Sequence, residues 1–331
     1  MPRKTPSFLL KGVTAFLLSL VLISCGPGPG YRNNGNQPPE PGRGSTGTPA
    51  EKGLVQFDVR AGGMTRNYLL YVPRNLNSER PTALIMAFHG GGGNAKNMAD
   101  FSGLPKLAER ANILVAFPNG TKGRSANGGT WNAGSGLNQG SAEKRGVDDV
   151  AFVRAMLQDI ERRYKVDQRR IYATGISKGG MFSYLLACRM SDTIAAIAPV
   201  AATMTTRSCN PSKPVRVLHI HGTEDSNIPL EGGSGSLSLA NNADSYPSVQ
   251  QTIDFWRREN KCSGSIQSTQ KTPDTICYSS CSAVQYCVIR GGGHSWPGME
   301  PKFWQKALDI ETTQTFNAES AIWQFFSEGK W

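Results

Sequence analysis

Gly175-Ile176-Ser177-Lys178-Gly179-Gly180 is the stretch whose surroundings decide the fold. It fits the pattern G-x-S-x-G, in which a strand bends sharply into a helix and lifts a serine out at the bend. Such a bend leaves no space for a Cβ two residues before or after the serine, and glycines stand at 175 and 179. Ahead of it runs the apolar Ile171-Tyr172-Ala173-Thr174. Behind it, Met181, Tyr184, Leu185 and Cys188 recur at helical spacing. Strand, serine, helix is therefore the predicted order, with Ser177 Oγ at a helix N-terminus, where developing negative charge is favoured. A glycine-rich turn with an incidental serine is the competing reading, and the flanking elements weigh against it.

Outward from that bend, strands and helices alternate. Leu54–Val59 and Asn67–Val72 alternate like half-buried antiparallel strands joined by Gly62-Gly63. Ala83–Phe88, Ile113–Phe117, Ile194–Val200 and Val215–Ile220 are short continuous apolar runs, as strands buried on both faces require. Between them Val150, Val153, Leu157, Ile160 and Tyr164 share one helix face, and Val249, Ile253 and Trp256 share another. Val284–Ile289 supplies a last strand, and Ile322, Phe325 and Phe326 a last helix. The pattern predicts an α/β protein with a doubly wound, mostly parallel central sheet flanked by helices, its site at the carboxyl ends of the strands.

An unactivated serine is a poor nucleophile and needs a base. Of the four histidines, His294 follows the last strand in Gly291-Gly292-Gly293-His294-Ser295-Trp296-Pro297-Gly298, a glycine run able to carry an imidazole over the sheet edge. His219 reads as a core histidine within its strand, His221 as the start of a turn, and His89 as the holder of a glycine loop. The acid that orients the base belongs after the strand Val215–Ile220, where Glu224 and Asp225 stand side by side. Asp148-Asp149 is a competing pair, but Asp148 reads as a helix N-cap. Donors for an oxyanion are expected from the backbone N–H of Lys178 and from Gly91 or Gly92 in His89-Gly90-Gly91-Gly92-Gly93-Asn94. Trp131, Trp296 and Tyr184 are candidates to bind substrate by lining an acyl pocket, with core packing as the alternative for each. Chemistry of this kind calls for no cofactor and no metal.

These motifs, in this order, resemble the polyhydroxybutyrate depolymerase and feruloyl esterase group of α/β-hydrolases, carbohydrate esterase family 1 in its broad sense. Thr130-Trp131-Asn132, Val147–Val153, Ala195–Ala201, His221-Gly222-Thr223-Glu224-Asp225 and Gly292–Gly298 are similar to its signature stretches, as is Phe316–Glu319 leading into Ile322–Phe326. The likeness covers roughly Val55 to the C-terminus. It implies the α/β-hydrolase fold and a triad of Ser177, Asp225 and His294, choosing Asp225 over Glu224. Two departures stand out. Lys178 occupies a place where asparagine is common, and reads as a solvated lysine. Ala133–Leu137 lies where members often carry a cysteine pair.

The N-terminus reads as an address. Residues 1–24 join a basic start, Arg3, Lys4 and Lys11, to an apolar run, Gly12–Ile23, too short to span a bilayer comfortably. Leu22-Ile23-Ser24-Cys25 resembles a bacterial lipobox, implying lipidation of Cys25 and attachment to a membrane of the cell envelope; a plain secretory signal is the alternative. Residues 25–52 are almost free of apolar side chains and read as a flexible tether, which leaves 53–331 as the folded domain. Seven cysteines less Cys25 leave six, enough for up to three disulfides in an exported chain, with four crowded into a Ser/Thr-rich stretch at 262–287 that reads as a stapled surface loop. A formal net charge of +11 is spread in pairs such as Arg162-Arg163, without the basic stripe of a nucleic-acid binder. The expectation is an exported serine esterase acting on feruloyl or acetyl esters of plant polysaccharide. The alternatives are a depolymerase of short 3-hydroxybutyrate oligomers, a serine peptidase, and a lipid-anchored binding protein that keeps the fold without catalysis.

Overall fold

The computed structural model describes residues 52–123, 128–136, 140–236, 245–300 and 312–328. The expected leader 1–24, Cys25 and all of the tether but Lys52 lie outside the described residues. Its strands are β1 (Gly53–Ala61), β2 (Met64–Val72), β3 (Thr82–Phe88), β4 (Leu114–Pro118), β5 (Thr121–Lys122), β6 (Gly129–Thr130), β7 (Val166–Ile176), β8 (Ala196–Val200), β9 (Arg216–Gly222), β10 (Gln267–Thr272), β11 (Thr275–Cys281) and β12 (Val284–Ile289). Its helices are α1 (Ala95–Phe101), α2 (Leu104–Ala111), α3 (Ser141–Lys144), α4 (Asp149–Arg163), α5 (Lys178–Arg189), α6 (Val249–Glu259) and α7 (Ala318–Glu328).

Among the described residues, ten strands form one sheet in the order β1-β2-β4-β3-β7-β8-β9-β12-β11-β10. The six central strands, β4 to β12, pair in parallel. Antiparallel hairpins finish both edges. β3 shows how the sheet is covered on both faces. Leu84, Met86 and Phe88 enter a core shared with α4, α5 and α6, while Ala83, Ile85 and Ala87 enter a second core shared with α1, α2 and α7. A strand buried on both faces has no polar alternation, hence the unbroken apolar runs of the sequence. The chain leaves β3 toward β4 on one side and returns to β7 on the other, so a crevice opens at the carboxyl ends of β3 and β7.

Local chemistry sets the helix starts. Asp148 Oδ1 accepts the Ala151 N–H at 2.8 Å and caps α4, and Ser248 and Gln251 form a reciprocal capping box on α6. The stretch 262–287 departs from the expected stapled loop. It forms β10, β11 and the start of β12, and β10 is almost wholly exposed, so it lacks the apolar alternation that would have marked it as a strand. Cys277 and Cys287 face each other across β11 and β12 and are bonded, Cys262 is bonded to Cys281, and Cys188 at the end of α5 is bonded to Cys209.

Candidate active site

Ser177 sits between β7 and α5 with φ 56° and ψ −124°, a conformation that costs a non-glycine residue about 1–3 kcal/mol and persists only where the surroundings impose it. Its N–H donates to the Val200 carbonyl at 2.9 Å. A Cβ at Gly179 would stand 2.2 Å from the Phe88 carbonyl oxygen and 2.6 Å from that of His89; one at Gly175 would stand 2.6 Å from the same Phe88 oxygen. The bend is thus pressed against the end of β3. Gly179→Ala is expected to lower unfolding free energy by at least about 3 kcal/mol, the upper part of the overpacking range, in urea titrations. An alanine variant as stable as the parent would contradict this geometry.

Two loops bring the acid and the base together. A Cβ at Gly222 would lie 2.0 Å from the Gly292 carbonyl oxygen, so the segments after β9 and β12 touch backbone to backbone. The Glu224 N–H donates to that same Gly292 carbonyl at 2.9 Å, and the Gly291 N–H donates to Thr223 Oγ1 at 2.9 Å. As a result His294 Nδ1 lies 2.9 Å from Asp225 Oδ2 and 3.0 Å from Oδ1. Asp225 is buried and Glu224 exposed. Burial works to raise the Asp225 pKa, but the hydrogen bond from His294, the nearby imidazoles and the Ile228 N–H outweigh it and hold the carboxyl below its usual range. His294 Nε2 is left for the cleft that both His294 and Ser177 line. Ser177 Oγ makes no hydrogen bond among the described residues, and such a pair commonly tightens when a substrate arrives.

The glycine loop after β3 resolves the choice between two donors. Gly92 gives its N–H to the Gly129 carbonyl at 2.9 Å, and Gly93 gives its own to Gly90 at 3.0 Å. The Gly92 N–H is therefore taken, a correction to its candidacy, and Gly91 is the candidate of the two that is left, its Cβ position 3.9 Å from the Cβ of Lys178. His89 holds the loop from within. Its Nε2 accepts the Gly120 N–H at 2.9 Å and its Nδ1 donates to the Gly90 carbonyl at 2.7 Å, which fixes a neutral ring. Burial pulls its pKa down to about 4.

Burial also pulls His219 and His221 below the usual imidazole range. Above pH 6.5 each ring is neutral folded and unfolded; between 6.5 and about 4 the unfolded chain binds a proton that folded His89 refuses. Stability therefore falls as pH falls through that window, by about 3 kcal/mol from His89 alone, with His219 and His221 acting in the same direction. Urea midpoints at pH 7, 6 and 5 check this; a midpoint that holds or rises toward pH 5 would contradict it.

Three aromatic candidates are corrected. Trp131 is fully buried, stacks on Phe182 at 5.2 Å and donates from Nε1 to the His89 carbonyl at 2.9 Å, bracing the glycine loop from behind. Trp296 is buried in the second core beside Phe101, and Tyr184 is buried against Trp256. None of the three lines the cleft. That cleft, about 360 Å³, is walled by Gly90–Gly93, Asn97, Phe101, Ile176, Ser177, His294 and Met299 together with His89. Sequence reasoning missed Asn97, Phe101, Ile176 and Met299; only Ile176, next to the serine, carried a signal.

The lysine after Ser177 is also corrected, from solvated to buried. Lys178 Nζ lies 3.0 Å from Glu143 Oε2, with both side chains under a tenth exposed. Glu143 Oε1 accepts from the Ser135 N–H at 2.8 Å and hydroxyl at 2.5 Å. This pair ties the head of α5 to α3 and the segment after Trp131. Asp149, of the competing acid pair, pairs instead with Arg66 at 2.9 Å and accepts the Asn132 N–H at 2.8 Å. Among the described residues no group of three or more His, Cys, Asp or Glu is arranged to hold a metal ion.

Residues 66–212 match the family described as Esterase PHB depolymerase. Feruloyl esterase C of Emericella nidulans is 31% identical over 235 residues, covering 69% of this chain and 76% of that protein. Feruloyl esterase B of Piromyces equi is 29% identical over 240 residues, covering 70% of this chain and 42% of that protein, so this chain spans less than half the length of that relative. Among solved structures, an acetyl xylan esterase from Aspergillus awamori aligns with a TM-score of 0.50 at 15% identity, covering 77% of this chain and 98% of that one, a likeness of fold.

Proposed function

The chain belongs to the polyhydroxybutyrate depolymerase and feruloyl esterase group of α/β-hydrolases, and from that membership we propose that it is an exported serine esterase cleaving feruloyl or acetyl esters of plant polysaccharide. The observation that carries the reading is the contact of His294 with Asp225 at the rim of a cleft that also holds the strained Ser177 and the Gly91 N–H. In the proposed reaction His294 Nε2 takes the Ser177 proton as Oγ attacks the ester carbonyl. The oxyanion is held by the N–H groups of Gly91 and Lys178. His294 then protonates the leaving alcohol, and water activated by the same imidazole releases the acid from the acyl-serine. Asp225 keeps the ring oriented and stabilises its charged form.

The cleft favours a hydroxycinnamoyl acid. Phe101, Ile176 and Met299 give it apolar walls, and Asn97 adds one amide, a lining suited to a long flat acyl group with a polar end. The two feruloyl esterase relatives support the same choice. The family match supports a second reading, hydrolysis of 3-hydroxybutyrate oligomers. A panel of methyl ferulate, p-nitrophenyl acetate and hydroxybutyrate oligomers separates these. Methyl ferulate is expected to give the highest kcat/KM; a purified protein inert on every ester would end the esterase reading.

Three disulfides support export, since such bonds form in oxidising compartments. Anchoring through a lipidated Cys25 remains part of the proposal, and the mass of the mature N-terminal peptide tests it. A diacylglycerol-bearing Cys25 is expected; an unmodified residue there would remove the anchor.

A further inference from the structure

Asp225 closes one end of a chain of buried side chains that the reaction above does not use. Tyr184 Oη lies 2.7 Å from His219 Nδ1, and His219 Nε2 lies 3.1 Å from His221 Nδ1. His221 Nε2 lies 2.8 Å from the Ile228 carbonyl and 3.4 Å from Asp225 Oδ2. His219 and His221 are two apart on β9, so their rings leave the same face, and they stack at 5.2 Å. Tyr184, His219 and His221 are all at most 1% exposed, so water cannot complete their hydrogen bonds.

The protons can be assigned from the Asp225 end. His221 Nε2 faces a carbonyl and a carboxylate, both acceptors, and so carries a hydrogen. Burial keeps both histidines neutral, with one ring proton each. His221 Nδ1 is then a lone pair, which obliges His219 to donate from Nε2. His219 Nδ1 in turn accepts the Tyr184 O–H. Every donor points the same way, and aligned hydrogen bonds in a low-dielectric interior strengthen one another.

We propose that Tyr184, His219 and His221 are positioning residues, a one-way relay of hydrogen bonds that ends on the Ile228 carbonyl and fixes the turn whose N–H groups hold the Asp225 carboxylate in register with His294. The need is visible at the carboxylate. Both oxygens meet His294 Nδ1, and Oδ1 is also held by the N–H groups of Ile228 at 2.9 Å and Asn227 at 3.0 Å, while the Ile228 carbonyl takes the His221 Nε2–H at 2.8 Å. Removing His221 takes the donor from the Ile228 carbonyl and loosens the turn that carries Asp225. The titratable groups facing Asp225 are His294 and His221; those facing His221 are Asp225, His294 and His219.

The proposal rests on the triad reading, and its test separates the two. Long-range nitrogen–proton spectra of the labelled, unmutated protein report each ring's tautomer whether or not it turns over ester. His219 and His221 are both expected as the Nε2–H form; either ring found as Nδ1–H overturns the relay. Activity on the ester panel tests the triad separately. Among variants, His221→Phe is expected to lower kcat about 10–100-fold with KM nearly unchanged, the usual loss when the partner orienting a reacting group is removed. His221→Gln keeps an N–H donor and should recover most of kcat, and Tyr184→Phe should show a smaller loss. Phenylalanine and glutamine variants that fall alike, or a loss that appears in KM and not in kcat, would make the chain merely structural and overturn the proposal.

Discussion

Ser177→Ala is expected to cut kcat/KM on the best ester of the panel by about 10⁴–10⁶-fold, the scale on which triad enzymes lose rate when the nucleophile is removed. The side chain contributes almost nothing to the fold. Its Oγ has no hydrogen-bond partner among the described residues, and the strained backbone is fixed by neighbours: the Val200 carbonyl bound to the Ser177 N–H, and the close approach of Gly179 to β3. Alanine can adopt the same bend at similar cost. The variant should therefore unfold at the same urea concentration as the parent while turning over almost nothing. A residual rate above about 1% of the parent would mean that another group performs the attack.

Asp225→Asn is expected to cost about 10⁴-fold in kcat, against less than about threefold for Glu224→Gln. The two residues are neighbours in sequence, but only Asp225 points inward, where both its oxygens meet His294 Nδ1. An amide in that place presents an NH₂ group to one ring nitrogen, favours the wrong tautomer of His294 and removes the charge that stabilises the imidazolium. Glu224 is exposed and contributes its backbone N–H to Gly292, which glutamine keeps. Equal losses from the two variants would show that the acid acts through general field effects and not through the His294 contact.

How much of this was legible in the sequence depends on how each residue leaves its mark. The central strands were readable because burial on both faces removes every polar position, as in Ala83–Phe88. The bend at Ser177 was readable because steric exclusion admits only glycine at 175 and 179. β10 was not, since an exposed edge strand of Ser, Thr and Gln is held by backbone pairing with β11, which composition does not record. The aromatic candidates failed for a related reason. Trp131 follows β6 and Trp296 lies two residues after His294, yet their rings turn into the cores, and sequence order does not reveal the direction of a side chain in a loop. Lys178 looked solvated because its partner, Glu143, lies 35 residues away. The choice between Gly91 and Gly92 needed the partner strand, because it is Gly129 that occupies the Gly92 N–H. The histidine pair on β9 had a weak signal in its i, i+2 spacing, but not the Tyr184 that completes it.

If Ser177 forms the acyl-enzyme, that intermediate can be trapped on it. The protein is mixed with excess p-nitrophenyl ester, quenched in acid within the first turnovers, digested and weighed by mass spectrometry. One acyl group is expected on the peptide that contains Ser177, absent when His294→Ala protein is treated in the same way. Acylation of a different residue, or steady hydrolysis by the parent with no acylated peptide under quench conditions that preserve a serine ester standard, would contradict it.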